Sequence, residues 1–589
     1  MRAPSPFSAH PPFVLITLLL ACAVPPLVAY NLTPSATLFN QLAALGGWGL
    51  VLVAVAMATG TQLPSLLQLR GGAAVWALCL LLIAPWVSWA WAGLPASIAL
   101  TNSAMLGAAL LLLLAGQGLT DSARRLGFEA LCWGLLAAGV LSVLVSFVQV
   151  FAPGLADGQI IAHSGIPGRA VGNMRQPNHL ASLLMWSCVA AAYLGDQQRL
   201  ARAGAATLPL LLFGLLFGLV FAVVLSASRT GVGGVVILAV WGLLDRKLSR
   251  PTRFALMVTP LMLAFSWWAV SVWASAGDHA FGAESRLAEG AGSPARVAIL
   301  TNAWSLLMRN PLTGVGWGEF NLAWTMSPFP GRPIAFFDHT HDLPMQLAVE
   351  LGLPASLTIL GLLSFALWRA FRTSMVEQGA DAVMRRCAVL LIVTIALHSL
   401  VEYPLWYAYF LLPTAFALGL AIGPAETKAG SDTAGGLSMR YGLAGLGALL
   451  LAASVYAGFD YLKLVAIYAP PANAAPLAQR IEAGQRSLFF ASQADYAAAT
   501  SLGLNAASLA ATQRTAHNLI DARLLVSWAK SLHATGDDDR ARYVVQRLKE
   551  FRNKAGDDFL AECELPLKGE ELPFQCAPPL RDYDWREMR

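Results

Sequence analysis

The chain has 589 residues, 57% of them hydrophobic and only 12% charged, with a formal net charge of +5. Soluble globular proteins carry about a quarter charged residues, so this composition excludes a soluble enzyme and indicates a polytopic membrane protein. Its basic residues are scattered through short loops instead of gathered on one face, which excludes a nucleic-acid interface.

After Met1-Arg2, an apolar run from about Pro12 to Ala29 is long enough to span and is followed by no small-residue cleavage site. It reads as a first transmembrane helix, not a removed signal peptide. Further runs of spanning length lie at roughly 40–59, 74–91, 98–118, 130–151, 179–195, 206–225, 230–244, 254–274, 346–368, 386–401, 404–423 and 440–458. The expected fold is therefore all-α and polytopic, with about thirteen transmembrane helices.

Lysine and arginine set the orientation. With a cytoplasmic N-terminus, the inside loops hold Arg70, Arg124, Arg125, Arg199, Arg202, Arg246, Lys247, Arg250 and Arg253. They continue with Arg369, Arg372, Arg385, Arg386, Lys428 and Arg440, whereas the opposite loops 30–39 and 92–97 carry no basic residue. This is a positive-inside pattern. It makes residues 1–458 a transmembrane unit and, for an odd number of spans, places residues 459–589 outside.

Two outside segments carry structure of their own. In the loop 275–345, Ser293-Pro294 is a helix start, with serine as cap and proline in the first turn. Ala295 to Arg309 then puts Ile299, Ala303, Leu306 and Leu307 on one face, suited to a membrane surface. Asn310-Pro311 ends it, and Gly314, Gly316 and Gly318 follow as a flexible turn. In the polar tail, Asp521 to Glu550 reads as two amphipathic helices around Gly536-Asp537-Asp538, with Trp528, Ala529, Leu532, Gly536 and Ala541 resembling one tetratricopeptide-type hairpin. Cys22, Cys79, Cys132, Cys188 and Cys387 fall in apolar spans, as buried small hydrophobes. Cys563 and Cys576 lie in the outside tail, where an oxidising compartment permits a disulfide and loop spacing equally permits free thiols.

The outside basic residues Arg169, Arg175, Arg229, Arg286, Arg296, Arg309 and Arg332 run against the positive-inside pattern and need a reason. On the same side, Asp338-His339-Thr340-His341-Asp342 runs into an apolar helix, and Glu402-Tyr403-Pro404 forms a corner between two spans. Charge at a membrane boundary marks ligand handling or chemistry more often than packing. Arg175-Gln176-Pro177-Asn178-His179 either holds an anionic head group or is an interfacial arginine beside a helix-starting proline. Arg229, in Ser226-Ala227-Ser228-Arg229-Thr230-Gly231, requires an anionic partner: a phosphate or pyrophosphate met bidentately, or a salt bridge, for example to Glu402. Arg296 either joins the histidines of its own loop or faces lipid phosphates. His339 and His341 read as a general base oriented by Asp338 or Asp342, as metal ligands, or as interfacial histidines. Their spacing of two suits an extended strand and no third strong ligand is evident, so no metal is expected. A transporter would show repeated halves or ionisable residues near the bilayer midplane, and neither is seen.

In this order, over residues 170–405, the motifs resemble the O-antigen ligase and O-oligosaccharyltransferase superfamily of bacterial inner-membrane enzymes. The shared features are Arg175-Gln176-Pro177-Asn178, Ser228-Arg229, Arg296 with Trp304, and Asn310-Pro311-Leu312-Thr313-Gly314-Val315-Gly316. They continue with the histidine motif running into Gln346 and Glu350-Leu351-Gly352, and with His398 followed by Glu402-Tyr403-Pro404-Leu405. The tail, entered through Gly458-Phe459-Asp460-Tyr461, looks like that of the protein-modifying branch, which glycosylates pilins and other periplasmic proteins. One departure stands out: the family's His-Asn is His341-Asp342 here.

The resemblance implies a C-type glycosyltransferase-like fold with the site and the tail in the periplasm. It implies a glycan on undecaprenyl pyrophosphate as donor, a periplasmic protein as acceptor through a Ser or Thr hydroxyl, and neither a metal nor another cofactor. Arg229 and Arg296, with Arg175, would hold the pyrophosphate. His341 would be the base, with His339 its nearby substitute; Gln176, Asn178 and Asp342 would support them, and Glu402 and Tyr403 would orient arginine or histidine. A lipopolysaccharide O-antigen ligase acting on lipid A–core and an O-antigen polymerase share the same pattern.

Overall fold

In hydrocarbon, an apolar segment can satisfy its own backbone only as a helix, and each of the predicted runs is covered by one. The structure is a computed structural model, and it describes residues 11–58, 72–197, 208–284, 294–377, 379–423, 434–517, 519–564 and 572–589. Arg70, Arg199, Arg202, Arg286 and Lys428 lie outside the described residues. The membrane bundle comprises α1 (Pro11–Ala23), α2 (Leu38–Met57), α3 (Gly72–Ala92), α4 (Ala96–Gln117), α5 (Asp121–Phe151), α6 (Pro177–Asp196) and α7 (Leu208–Ser226). It continues with α8 (Arg229–Leu244), the short α9 (Arg250–Met257) leading into α10 (Thr259–Gly277), and two extramembrane helices, α11 (Pro294–Arg309) and α12 (Phe320–Met326). The last membrane helices are α13 (Leu343–Val376), α14 (Ala380–His398), α15 (Ala408–Ile422) and α16 (Ala434–Tyr468). Among the described residues, eight spans, formed by α2 to α5, α7, the α9–α10 pair, α13 and α16, are long and apolar enough to cross a membrane; α8, α15 and the segment Pro12–Leu27 are shorter apolar helices.

One end of the bundle gathers the loop cations with acids. Arg124 meets Asp121 at 3.0 Å, Arg125 meets Asp381 at 2.5 Å, and Arg385 and Arg386 meet Glu377 and Asp245, each at 2.6 Å. The chemistry-bearing motifs collect at the other end.

There α13 is broken by Gly352, whose φ of 76° and ψ of 167° form a backbone state essentially restricted to glycine. The break frees carbonyls that the preceding loop then takes up. Val315 N–H donates to the Val349 carbonyl and Gly316 N–H to that of Glu350, each at 2.9 Å, while Leu353 N–H donates to the Pro311 carbonyl at 2.8 Å. A Cβ on Gly352 would lie 2.3 Å from the Leu312 carbonyl oxygen, and one on Gly314 would lie 2.4 Å from the Glu350 backbone. Asn310–Gly316 and Glu350–Gly352 are thus the two halves of one backbone junction. It fixes the loop against the helix that carries the histidines.

The tail adds α17 (Leu477–Gln485), α18 (Ala491–Ser501), α19 (Ala506–Thr515), α20 (Ala522–Ala534), α21 (Asp538–Phe551) and α22 (Lys554–Leu560). The predicted hairpin around Gly536 is α20–α21, but it does not stand alone: α17, α18 and α19 pack consecutively beside it. The boundary expected at 458 falls inside α16. Phe320, Trp324 and Val349 from the loop side share one buried core with Trp528, Tyr543 and Phe551 of the tail. Buried Arg332 clasps the two: it donates to Glu550 at 2.9 Å and to the Ser327 carbonyl, and its guanidinium sits 4.7 Å from the Trp324 ring and 4.6 Å from that of Phe551. Cys563 and Cys576 form a disulfide with Cα atoms 5.3 Å apart.

Candidate active site at the loop end of the bundle

The histidine motif is set by how α13 begins. Asp342 is its N-cap, accepting from the Met345 N–H at 2.7 Å, with Pro344 in the first turn. Immediately before it, His341 has φ 57°, a left-handed conformation uncommon outside glycine. Two bonds hold this turn: Thr340 N–H donates to Gln346 Oε1 at 2.8 Å, and Leu343 N–H donates to the Ser399 carbonyl at 2.8 Å. The result swings the His341 ring away from its sequence neighbours and towards the corner after α14.

Glu402 is waiting there. Its Oε2 lies 2.8 Å from His341 Nδ1, and its Oε1 accepts from Arg296 and, at 3.0 Å, from Asn178 Nδ2. The carboxylate is an acceptor only, so Nδ1 carries the proton and a neutral His341 keeps its lone pair on Nε2. Nε2 has no hydrogen-bond partner among the described residues. Asn178 Oδ1 in turn accepts from Ser228 Oγ at 2.7 Å, and Ser228 caps α8 directly before the exposed Arg229. Gln176 caps α6, accepting from the N–H groups of Asn178 and His179. Three segments distant in sequence therefore converge on one carboxylate, with Ser228 joined through Asn178.

Aromatic rings frame the pair. Tyr403 and Phe337 present edges to the His341 ring at 4.9 and 5.3 Å, and His339 stacks on Tyr403 at 4.6 Å. Burial pushes the Tyr403 phenol well up, which keeps it neutral. Phe337 carried no signal in the sequence, since an aromatic in a loop is unremarked without its neighbour. Trp406, edge-on to His339 at 4.9 Å, also lines an apolar cavity of about 170 Å³ together with Leu343, Leu347, Leu405 and Leu418. The cavity lies between α3, α4, α13 and α15, with Trp406 in its wall.

Several expected roles fall differently. The acid that orients His341 is Glu402, not Asp338 or Asp342: Asp338 pairs with His339 Nδ1 at 3.1 Å and Asp342 is committed to its cap. Arg296 takes an ion pair at Glu402. Arg175 does not join the cluster; its guanidinium donates to the carbonyls of Ala29 and Ala36 and to Asn31 Oδ1, stapling the loop between α1 and α2. These three hydrogen bonds all go to acceptors of that loop and none to Glu402.

Glu402 makes the site pH-sensitive. Burial pushes its carboxyl up, but the His341 hydrogen bond and the charges of His341, Arg296 and His398 outweigh it and hold the group below its ordinary value of 4.5. A depressed carboxyl stabilises the fold fully above the unfolded-state value and loses that contribution as pH falls through the native one. The thermal midpoint of the wild type should therefore drop more steeply below about pH 4.5 than that of Glu402→Gln. Parallel curves for the two proteins would contradict the pairing.

Fold and site together define a polytopic helical membrane protein with a histidine–glutamate–arginine centre at one end. Residues 213–360 match the family described as O-Antigen ligase, residues 170–194 the family described as Protein glycosylation ligase, and residues 387–556 the family described as Virulence factor membrane-bound polymerase, C-terminal. The chain is 25% identical over 339 residues to a General O-oligosaccharyltransferase of Acinetobacter baylyi, covering 55% of this chain and 56% of that protein. It is 24% identical over 299 residues to a ComP-specific O-oligosaccharyltransferase of the same organism, covering 49% and 50%. The chain spans about half the length of these curated relatives. These matches make it similar to the superfamily of O-antigen ligases and O-oligosaccharyltransferases, the protein-glycosylating branch included.

Proposed function

We propose that this protein is a glycosyltransferase that moves a preassembled glycan from undecaprenyl pyrophosphate to Ser or Thr hydroxyls of periplasmic proteins such as pilins. The observation that carries the reading is the single carboxylate of Glu402 joining His341 to Arg296. It puts a base and a cation at one spot, as transfer from a pyrophosphate requires.

In this reading the inner-membrane protein has its N-terminus in the cytoplasm, and the loop and tail face the periplasm. The tail disulfide supports that side, since disulfides persist in oxidising compartments. Arg296 and exposed Arg229 hold the pyrophosphate and stabilise the charge that grows on it. The apolar cavity beneath Trp406 suits part of the carrier's hydrocarbon chain. The acceptor hydroxyl oxygen attacks the anomeric carbon as its proton passes to His341 Nε2. A new C–O bond forms, the bond to the phosphate oxygen breaks, and the pyrophosphate leaves with the electron pair. Glu402 stabilises the imidazolium so formed. No metal or nucleotide enters the scheme, because arginines supply the positive charge and pyrophosphate is already a good leaving group.

A second reading, ligation to lipid A–core or glycan polymerisation, draws on the matches to the ligase and polymerase families. A glycan blot of cells making a lipid-linked glycan with and without this protein separates the two. Protease-sensitive periplasmic signal is expected. Signal confined to protease-resistant lipopolysaccharide would replace protein transfer with ligation.

A further inference from the structure

Glu402 serves two sets of groups that the reaction needs at different moments. Its Oε1 receives Arg296 and the Asn178 amide, and Asn178 leads through Ser228 Oγ, at 2.7 Å, to Thr230 Oγ1, a further 2.7 Å on, at the head of α8 beside Arg229. Its Oε2 receives His341. The Glu402 side chain is 8% exposed, so little water screens its charge, whereas that of Arg296 is 37% exposed and stands on a long stem in the first turn of α11. A carboxylate has one charge to share. Whatever a guanidinium neutralises at Oε1 is withdrawn from the imidazole at Oε2.

We propose that Glu402 makes the base at His341 conditional on donor occupancy. With Arg296 on Oε1, His341 shares the Glu402 carboxylate with a cation. A bound pyrophosphate draws Arg296 outward and takes up the Ser228–Arg229 corner, leaving His341 to face the carboxylate with the neutral Asn178 amide beside it. The base is then strong only when a leaving group is in place. This rests on the reading above that a pyrophosphate binds at Arg229 and Arg296. Of the other groups around the pair, His398 bonds Ser182 at 2.7 Å and acts on Glu402 through space, Asp338 and His339 pair with each other, and Tyr403 stacks on His339 and meets the His341 ring edge-to-face. Arg296 is the group among them that an anion can readily displace.

The test is carbethoxylation of His341 by diethyl pyrocarbonate, resolved by peptide mass spectrometry, on the full chain in detergent from about pH 5 to 9, with and without inorganic pyrophosphate. Pyrophosphate should move the pH midpoint of the His341 reaction upward by roughly one unit, the usual scale for a change of one nearby charge. Arg296→Gln, whose amide can still reach Glu402, should show the raised midpoint without pyrophosphate and little further movement with it. Arg296→Lys keeps the charge and should stay near the wild type, separating loss of charge from loss of shape. Coincident midpoints for wild type and Arg296→Gln overturn the proposal, as does a pyrophosphate effect that lowers the reaction's plateau without moving its midpoint. Binding of radiolabelled pyrophosphate to the same samples distinguishes the two failures. Bound pyrophosphate with an unmoved midpoint overturns the gating and leaves the site reading intact; no binding overturns both.

Discussion

Replacing His341 by asparagine is expected to slow glycan transfer by about 10²–10⁴-fold, the ordinary contribution of a positioned acid–base group, while the protein stays folded. Asparagine is the informative choice because of the backbone. At φ 57° it is among the few residues besides glycine that enter the left-handed region readily, whereas alanine there costs roughly 1–2 kcal/mol. His341→Asn therefore removes Nε2 and keeps the turn before α13; His341→Ala removes both the base and part of the turn. Initial rates with a lipid-linked glycan and an acceptor protein, read beside thermal midpoints, separate chemistry from folding. The Thr340–Gln346 bond and the Asp342 cap should persist in the asparagine variant, since neither uses the imidazole. A loss smaller than about tenfold would move the base assignment to His339, whose ring stacks on the same tyrosine.

Glu550→Ala is expected to loosen the tail from the loop that carries the histidines, at a cost of about 3–5 kcal/mol, because it strands buried positive charge. The Arg332 side chain is fully buried, and burial lowers its pKa to about 10 despite Glu550. Glu550 also meets buried Arg547 at 3.0 Å, so one deletion uncovers two cations. Arg332→Met offers the complementary case. It fills the space between Trp324 and Phe551 with an apolar chain, and replacement of a buried charge by a hydrophobe of similar volume is often close to neutral. Combining Arg332→Met with Glu550→Ala should recover much of the stability lost in the single alanine variant, the rest remaining with Arg547. Thermal unfolding and limited proteolysis between Ser327 and Phe337 would measure this. A double variant no more stable than Glu550→Ala would mean that the clasp is packing and not charge.

The sequence by itself determined the helices, the end of the bundle that holds the chemistry, and most of the residues that meet there. The reason is local: an apolar run in lipid must satisfy its backbone within itself, and hydropathy along the chain reports that directly. His341, Arg296, Asn178 and Glu402 were all legible as ionisable or polar groups in places where such groups are costly. Glu402 was legible as a partner for an arginine or a histidine; which ones it takes was not, because that depends on contacts far apart in the chain. Glu402 reaches its partners across 61, 106 and 224 residues, and nothing near Asp342 or Asp338 in sequence says that they are occupied elsewhere. Arg175 looked like its neighbours Arg229 and Arg296 until packing surrounded it with carbonyls from the first loop. The glycine motifs were visible as strings, yet only the fold showed that Gly314 and Gly352 face one another, each leaving no room for a side chain. Local chemistry chose the residues; tertiary packing decided which of them share a charge.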